Sequence, residues 1–89
     1  MQVRWSAAAL ADLQRIRSYI ADFNPWAASR LAVQVLAAAE SLERLPRRGR
    51  LGLEPGSREL VAVYPYVIVY RVTDVVEISR VWHGAQSRR

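Results

Sequence analysis

Arg47, Arg48 and Arg50 crowd into one short stretch with Gly49 among them, and Arg58 follows shortly after. A guanidinium is a planar fork of donors that matches phosphate and carboxylate geometry, and a glycine lets backbone approach such a partner closely. The chemistry of this patch is recognition of something acidic, either nucleic acid or an acidic protein surface. The competing reading is a solvated loop whose arginines favour the C-terminal end of the preceding helix. Arg58 heads a strand-like stretch and has Glu54 and Glu59 at hand to hold it. Arg71 and Arg80 stand among apolar strand residues, so each faces an open sheet surface or pairs with a carboxylate such as Glu77.

His83 is the single histidine. Its near-neutral pKa suits general acid or base work, but such catalysis needs a second titrating group, and none is spaced to partner it. A structural role is the favoured reading. The chain has no cysteine, no second metal ligand near His83, no Ser/His/Asp set, no paired carboxylates and no glycine-rich phosphate loop, so neither metal nor cofactor is expected. Trp82, with Arg88 and Arg89 in a basic tail over 82–89, suits stacking on a base or docking in a protein groove; the alternative is Trp82 packed back on a sheet. Tyr19, Phe23 and Trp26 gather at one turn. They form either an exposed apolar patch that wants a partner or a staple around that turn.

These groups need a frame, and the patterning supplies one. Tyr64-Pro-Tyr-Val-Ile-Val-Tyr-Arg-Val72 is rich in β-branched and aromatic residues. The run Val67-Ile68-Val69 is apolar on both faces, which predicts a central strand covered on both sides. Before it, Gln2–Trp5 reads as a short strand pairing at one edge. Ser6 is an N-cap for a helix to about Asp22, with Ala9, Leu13, Ile16, Ile20 and Phe23 on its buried face and Asp12 mostly off it. Asn24 and Pro25 start a second helix, whose face is Leu31, Val35, Ala38, Leu42 and Leu45, ended by Pro46. The two helices form an antiparallel hairpin. Residues 47–56 are a loop, 57–63 a strand, Pro65 a tight turn, and 75–81 a strand with one wetter face. The order is β-α-α-β-β-β, an α+β layer pair.

At 89 residues the chain is read as a single domain, burying about 60–65% of its unfolded surface. Its 52% apolar content excludes a disordered chain. No apolar run is long enough to span a membrane, and the start, which has no apolar core of signal-peptide length, is read as carrying no export signal. The net charge is +5, and every basic residue is arginine.

The chain resembles the RelE/ParE superfamily of type II toxins, its ParE-like branch most closely. The resemblance covers nearly all of it. It rests on Trp5-Ser6, Ala11-Asp12-Leu13, Ile16-Arg17, Tyr19-Ile20, Asn24-Pro25, Ala27-Ala28 and Pro46-Arg47-Arg48-Gly49-Arg50. It continues through Gly56-Ser57-Arg58-Glu59-Leu60, Pro65-Tyr66, Ile68, Tyr70-Arg71-Val72 and Val81-Trp82-His83-Gly84-Ala85. The resemblance implies a cytoplasmic toxin that binds and inhibits DNA gyrase and is neutralised, in a hetero-oligomer, by a ParD-like antitoxin with an acidic C-terminal segment. Target contacts are then expected from Arg47, Arg48, Arg50, Arg58, Arg80, Trp82, His83, Arg88 and Arg89, with DNA or the ribosome and mRNA as indirect partners. Antitoxin contacts are expected from Tyr19, Phe23, Trp26 and Arg71. The alternative is a RelE-like ribosome-dependent mRNA endonuclease using Arg58, Arg71, Arg80 and His83 to activate a ribose 2′-OH. Val67 and Val69 depart from that pattern, standing where such nucleases often carry Arg or His.

Overall fold

A computed structural model describes residues 1–84. Its elements are β1 (Val3–Trp5), α1 (Ala7–Ala21), α2 (Pro25–Ser41), β2 (Arg50–Leu51), β3 (Ser57–Val63), β4 (Tyr66–Val72) and β5 (Val76–His83). They form the expected α+β layer pair: two helices on one five-stranded sheet of order β1-β5-β4-β3-β2. Strands β2 to β5 are antiparallel to their neighbours, and β1 joins the edge parallel to β5. The additional strand β2 lies in the stretch expected as loop. Two residues carry no readable periodicity, and only pairing with Arg58 and Glu59 makes them a strand.

The helix starts follow from their caps. The Ser6 hydroxyl accepts the Ala9 N–H at 2.9 Å and donates to the Ser79 carbonyl at 2.9 Å, tying α1 to β5. The Asn24 side chain accepts the Ala27 N–H at 3.1 Å, with Pro25 opening α2. The core joins Ala9 and Leu13 of α1, Leu31, Val35, Ala39 and Leu42 around α2, and Leu60, Ile68, Tyr70, Val76, Ile78 and Val81 of the sheet.

Several expectations need correcting. The helices cover only one face of β4. Val67, on the other face, is buried because Val61 and Trp82 flank it in register; its own sheet neighbours shield it without a second layer. Phe23 and Leu45 lie beyond the helix ends and are exposed. The expected tail boundary moves as well: Trp82 and His83 pair with Val67 and Tyr66 as the end of β5, while Arg88 and Arg89 fall outside the described residues. The chain turns into β4 through a cis Tyr64–Pro65 bond.

Two linked features set the faces of β5. Ser79 is the extra residue of a bulge, since Tyr70 pairs with Ile78 while Val69 pairs with Arg80. The bulge shifts the alternation by one. Ile78 and Val81 therefore both reach the core, and Arg80 turns outward. Past Ile78 the short strand β1 has ended, so β5 has a bare edge. Asp12, expected off the buried face, fills it at 1% exposure. Its Oδ2 accepts the Val81 N–H at 3.0 Å and Arg80 Nε at 2.7 Å; its Oδ1 accepts Arg80 Nη2 at 3.0 Å and Arg15 Nη2 at 2.6 Å. Burial alone pushes the Asp12 carboxyl up, but the hydrogen bonds from Arg80, Val81 and Arg15 outweigh it and hold the group below the ordinary carboxylate range.

Asp12→Ala strands the Val81 N–H and releases Arg80. It should cost about 3 kcal/mol and lower Tm by more than about 10 °C in a thermal melt. Arg15→Ala, at a side chain 66% exposed, should cost less than about 1 kcal/mol. Because the folded pKa of Asp12 is depressed, its contribution is complete above the unfolded value and fades as pH falls through the lower folded value. Asp12→Asn should flatten the acid limb of the stability curve below about pH 4.

Candidate functional site

The sheet face left open by the helices carries three arginines from three strands. Arg50 Nε and Nη2 donate to Glu59 Oε1 at 3.3 and 3.0 Å. Arg71 Nη1 donates to the Pro55 carbonyl at 3.0 Å, and Nη2 meets Glu54 Oε1 at 3.4 Å. Arg80 is clamped by Asp12, and its guanidinium carbon lies 5.1 Å from the centre of the Trp82 ring. A groove of about 310 Å³ runs between Arg71 and Arg80, floored by Val69 and flanked by Leu53, Ser57 and Trp82. Trp82 is thus packed on the sheet, with one face serving the cation. The expected carboxylate for Arg71 or Arg80 was Glu77. Glu77 stands opposite Arg71 in register, yet the ion pairs form with Glu54 and Asp12.

Arg58 belongs to the other face. Alternation along β3 puts it on the side of Leu60 and puts Glu59 with the open face, so neither Glu59 nor Glu54 holds it. Instead its Nη1 donates to the Gly49 and Arg47 carbonyls at 2.8 and 3.3 Å. Beside it the buried Tyr70 hydroxyl donates to the Pro46 carbonyl at 2.8 Å and accepts the Gly49 N–H at 3.0 Å. The loop is so tight here that a Cβ on Gly49 would lie 2.7 Å from the Tyr70 oxygen. Gly49 is required by close approach, whereas Gly56, at φ 84°, is required by its backbone conformation before β3.

Pinned from beneath, the loop turns its charges outward. Arg48 Nη1 donates to the Ser41 hydroxyl at 2.7 Å, and that hydroxyl donates to the Ala38 carbonyl in the last turn of α2. Arg48 therefore fits the helix-end reading. Among the described residues the Arg47 side chain has no hydrogen bond or ion pair and is exposed. Leu45, Leu51 and Leu53 are exposed beside the same arginines. Sequence reasoning placed Leu45 on the buried face of the second helix, missed Leu51 and Leu53, which sit outside any periodic pattern, and missed the anchoring role of Tyr70.

His83 lies on the helix-covered side, its ring 5.5 Å from that of Tyr66, at a cavity of about 340 Å³ shared with Arg15, Ile16 and Tyr19. The four residues of the nuclease alternative are not brought together. Arg71 and Arg80 are on the open face, Arg58 and His83 on the other. Arg58 and His83 pair with Tyr70 and Tyr66 of β4, about 13 Å apart along the strand. Among the described residues no group of three potential metal-binding side chains exists, and no helix is long and apolar enough to cross a membrane. At the helical tip Tyr19 and Phe23 meet edge to face at 5.4 Å. Phe23 and Trp26 are 76% and 81% exposed, so the staple reading gives way to an open aromatic patch.

Residues 3–88 match the family model of the ParE toxin of type II toxin–antitoxin system, parDE. Toxin RelE2 of Caulobacter vibrioides is 51% identical over 86 residues, covering 96% of this chain and 97% of that protein. Putative toxin Y4kP of Sinorhizobium fredii is 40% identical, covering 96% and 90%. Among solved structures, a chain of the chromosomal ParDE TA system from P. aeruginosa superposes with a TM-score of 0.83 at 25% identity, covering 93% of this chain and 95% of that one.

Tyr70→Phe removes both loop-anchoring hydrogen bonds and leaves the Gly49 N–H and Pro46 carbonyl unmatched. It should cost about 1–3 kcal/mol, and hydrogen exchange at the Gly49 amide should rise well before global unfolding.

Proposed function

We propose that this chain, which belongs to the ParE toxin family of type II toxin–antitoxin systems, acts by binding DNA gyrase and not by chemistry on its own side chains. The observation that carries the reading is the loop from Leu45 to Leu53. It is locked to the sheet by Tyr70 and Arg58 while presenting Arg47, Arg48 and exposed leucines to solvent. A preorganised patch mixing guanidinium and apolar groups suits a macromolecular partner, because little ordering entropy is lost on contact.

A ParD-like antitoxin would neutralise the toxin in the cytoplasm through two further surfaces. One is the aromatic tip of Tyr19, Phe23 and Trp26. The other is Arg71, whose pair with Glu54 is long and exposed and worth less than about 1 kcal/mol; a carboxylate from an acidic antitoxin segment could take its place at little cost. The endonuclease reading asks Arg58, Arg71, Arg80 and His83 to converge on one ribose. Their separation over two faces, with Arg58 and Arg80 already occupied by internal partners, favours the binding reading.

In a supercoiling assay the purified chain should inhibit gyrase. The exposed pair Arg47→Glu/Arg48→Glu should weaken inhibition at least tenfold, about 1.4 kcal/mol, while the loss of the exposed Arg48–Ser41 contact should cost the fold no more than about 1 kcal/mol in a thermal melt. Undiminished supercoiling at large molar excess of folded toxin would sink the proposal, as would mRNA cleavage in a translation extract that disappears with His83→Ala.

A further inference from the structure

We infer that Arg44, Arg47 and Arg48, set around Leu45 and Pro46, form a docking site for the phosphate backbone of double-stranded DNA. The toxin then touches the duplex that gyrase holds as well as the enzyme, an inference that rests on the gyrase reading only for the source of that DNA.

The three arginines line a depression of about 360 Å³ just past the C-terminal end of α2, with Leu45 and Pro46 between them. Among the described residues no carboxylate lines it. The ion pairs occupy Arg15, Arg50, Arg71 and Arg80 instead, and Arg58 is held by loop carbonyls. Arg44 and Arg47 are exposed, and among the described residues their side chains have no hydrogen bond or ion pair. Arg48 donates to the neutral Ser41 hydroxyl, which leaves the rest of its five-donor fork available. The acids of the same helix end do not dilute this cluster, because Glu40 and Glu43 line the groove beside β1.

Acceptors matter here as much as donors, since an outward carbonyl repels a phosphate. The loop has its carbonyls engaged internally. That of Leu45 accepts the Arg48 N–H at 3.2 Å, and that of Pro46 accepts the Tyr70 hydroxyl at 2.8 Å. Those of Arg47 and Gly49 accept the Arg58 guanidinium at 3.3 and 2.8 Å. Guanidinium and apolar groups are what remain facing solvent, on a backbone fixed before contact, so little ordering entropy is lost on binding.

The spacing of charge favours DNA over an acidic protein. Three acidic side chains of a protein must be positioned one by one to meet three guanidiniums. A duplex offers one phosphate charge per about 1.7 Å of its axis, so three arginines of one short loop find partners together. The residues among them agree: proteins that approach the minor groove combine arginines with Leu or Pro wedges, and Leu45 is 60% exposed beside Pro46. The opposing effect is the partial negative charge at the end of α2. Arg48, reaching back to Ser41 in the last turn, lays its positive charge over that end.

A net charge of +5 draws DNA to any face, so the test must localise the contact. Fluorescence anisotropy of a short labelled duplex with the full chain, without gyrase, should give a dissociation constant of about 10⁻⁴–10⁻⁶ M at physiological salt. Arg44→Gln, Arg47→Gln and Arg48→Gln should each weaken binding and make the log–log salt dependence shallower by about 0.9. Arg44 and Arg47 have no internal bonds, so their variants probe the site without disturbing the fold. Arg17→Gln and Arg30→Gln remove the same charge from exposed helix positions and should leave affinity and slope nearly unchanged. Loop variants that bind like wild type overturn the inference, as do helix variants that lose as much. So does an RNA duplex of the same sequence bound as tightly, or poly-glutamate that competes as well as unlabelled duplex. Gyrase inhibited by a chain that binds no DNA overturns it too and leaves the gyrase reading standing. Loop-dependent DNA binding by a chain that spares gyrase supports it and sinks the gyrase reading.

Discussion

One carboxylate closes the sheet. Parallel pairing to β1 protects β5 only as far as Ile78, and the next free N–H on that edge belongs to Val81. An unsatisfied buried N–H costs at least as much as one hydrogen bond gains, about 1–3 kcal/mol. Asp12, one turn into α1, supplies the acceptor, and in the same place finds two arginines to neutralise its buried charge. The contact joins residues sixty-nine positions apart, so it fixes where α1 lies on the sheet once the chain has collapsed. A buried ion pair often gains little net stability after desolvation. Here the backbone N–H and the half-exposed partners lower that penalty, which is consistent with the depressed pKa of the carboxyl.

The bulge at Ser79 determines what the Asp12 contact does to the surface. With regular alternation, Arg80 would follow Ile78 into the core and Val81 would face water. The extra residue sends Val81 inward and Arg80 around the strand edge, where Asp12 holds one side of its guanidinium and Trp82 lies beneath it. Ser79 adapts to its irregular place by donating to the Val69 carbonyl at 3.1 Å. Strand pleat thus sorts the arginines by role. Those on the open face are each matched to a carboxylate, Arg58 is spent on loop carbonyls, and the unmatched charge collects on the loop.

Much of this was legible in the residues, for reasons that differ by element. The helix starts were readable because Ser6 and Asn24-Pro25 act locally, and a cap needs only three residues to define it. The strands were readable because β-branched runs leave few alternatives. The failures concern contacts between segments distant in sequence. Asp12 looked like a solvated helix residue because its partners, Arg80 and Val81, are reached only through the fold. Val67 looked like evidence for a second covering layer because sequence does not show which side chains flank a strand. The bulge did leave a trace, since Val76, Ile78 and Val81 are spaced two and then three. The expected partners of Arg58 failed because adjacent strand residues point to opposite faces, so Glu59 was the one neighbour that could not reach it. The family resemblance identified the fold but not these contacts. It placed the arginines in sequence, and the pleat decided which of them face outward.

A chain this short cannot bury all of a 52% apolar composition, and where the surplus goes is informative. Random excess would scatter as single exposed side chains. In this protein it gathers at the aromatic tip of the helical hairpin, on the outer stripe of α2, and beside the arginines of the loop. Each cluster sits on an element whose other side is firmly anchored, by the Asn24 cap, by the α2 core stripe, and by Tyr70 with Arg58. Anchored apolar surface costs little further ordering when a partner arrives. Exposed apolar and cationic groups are thus concentrated on rigid supports.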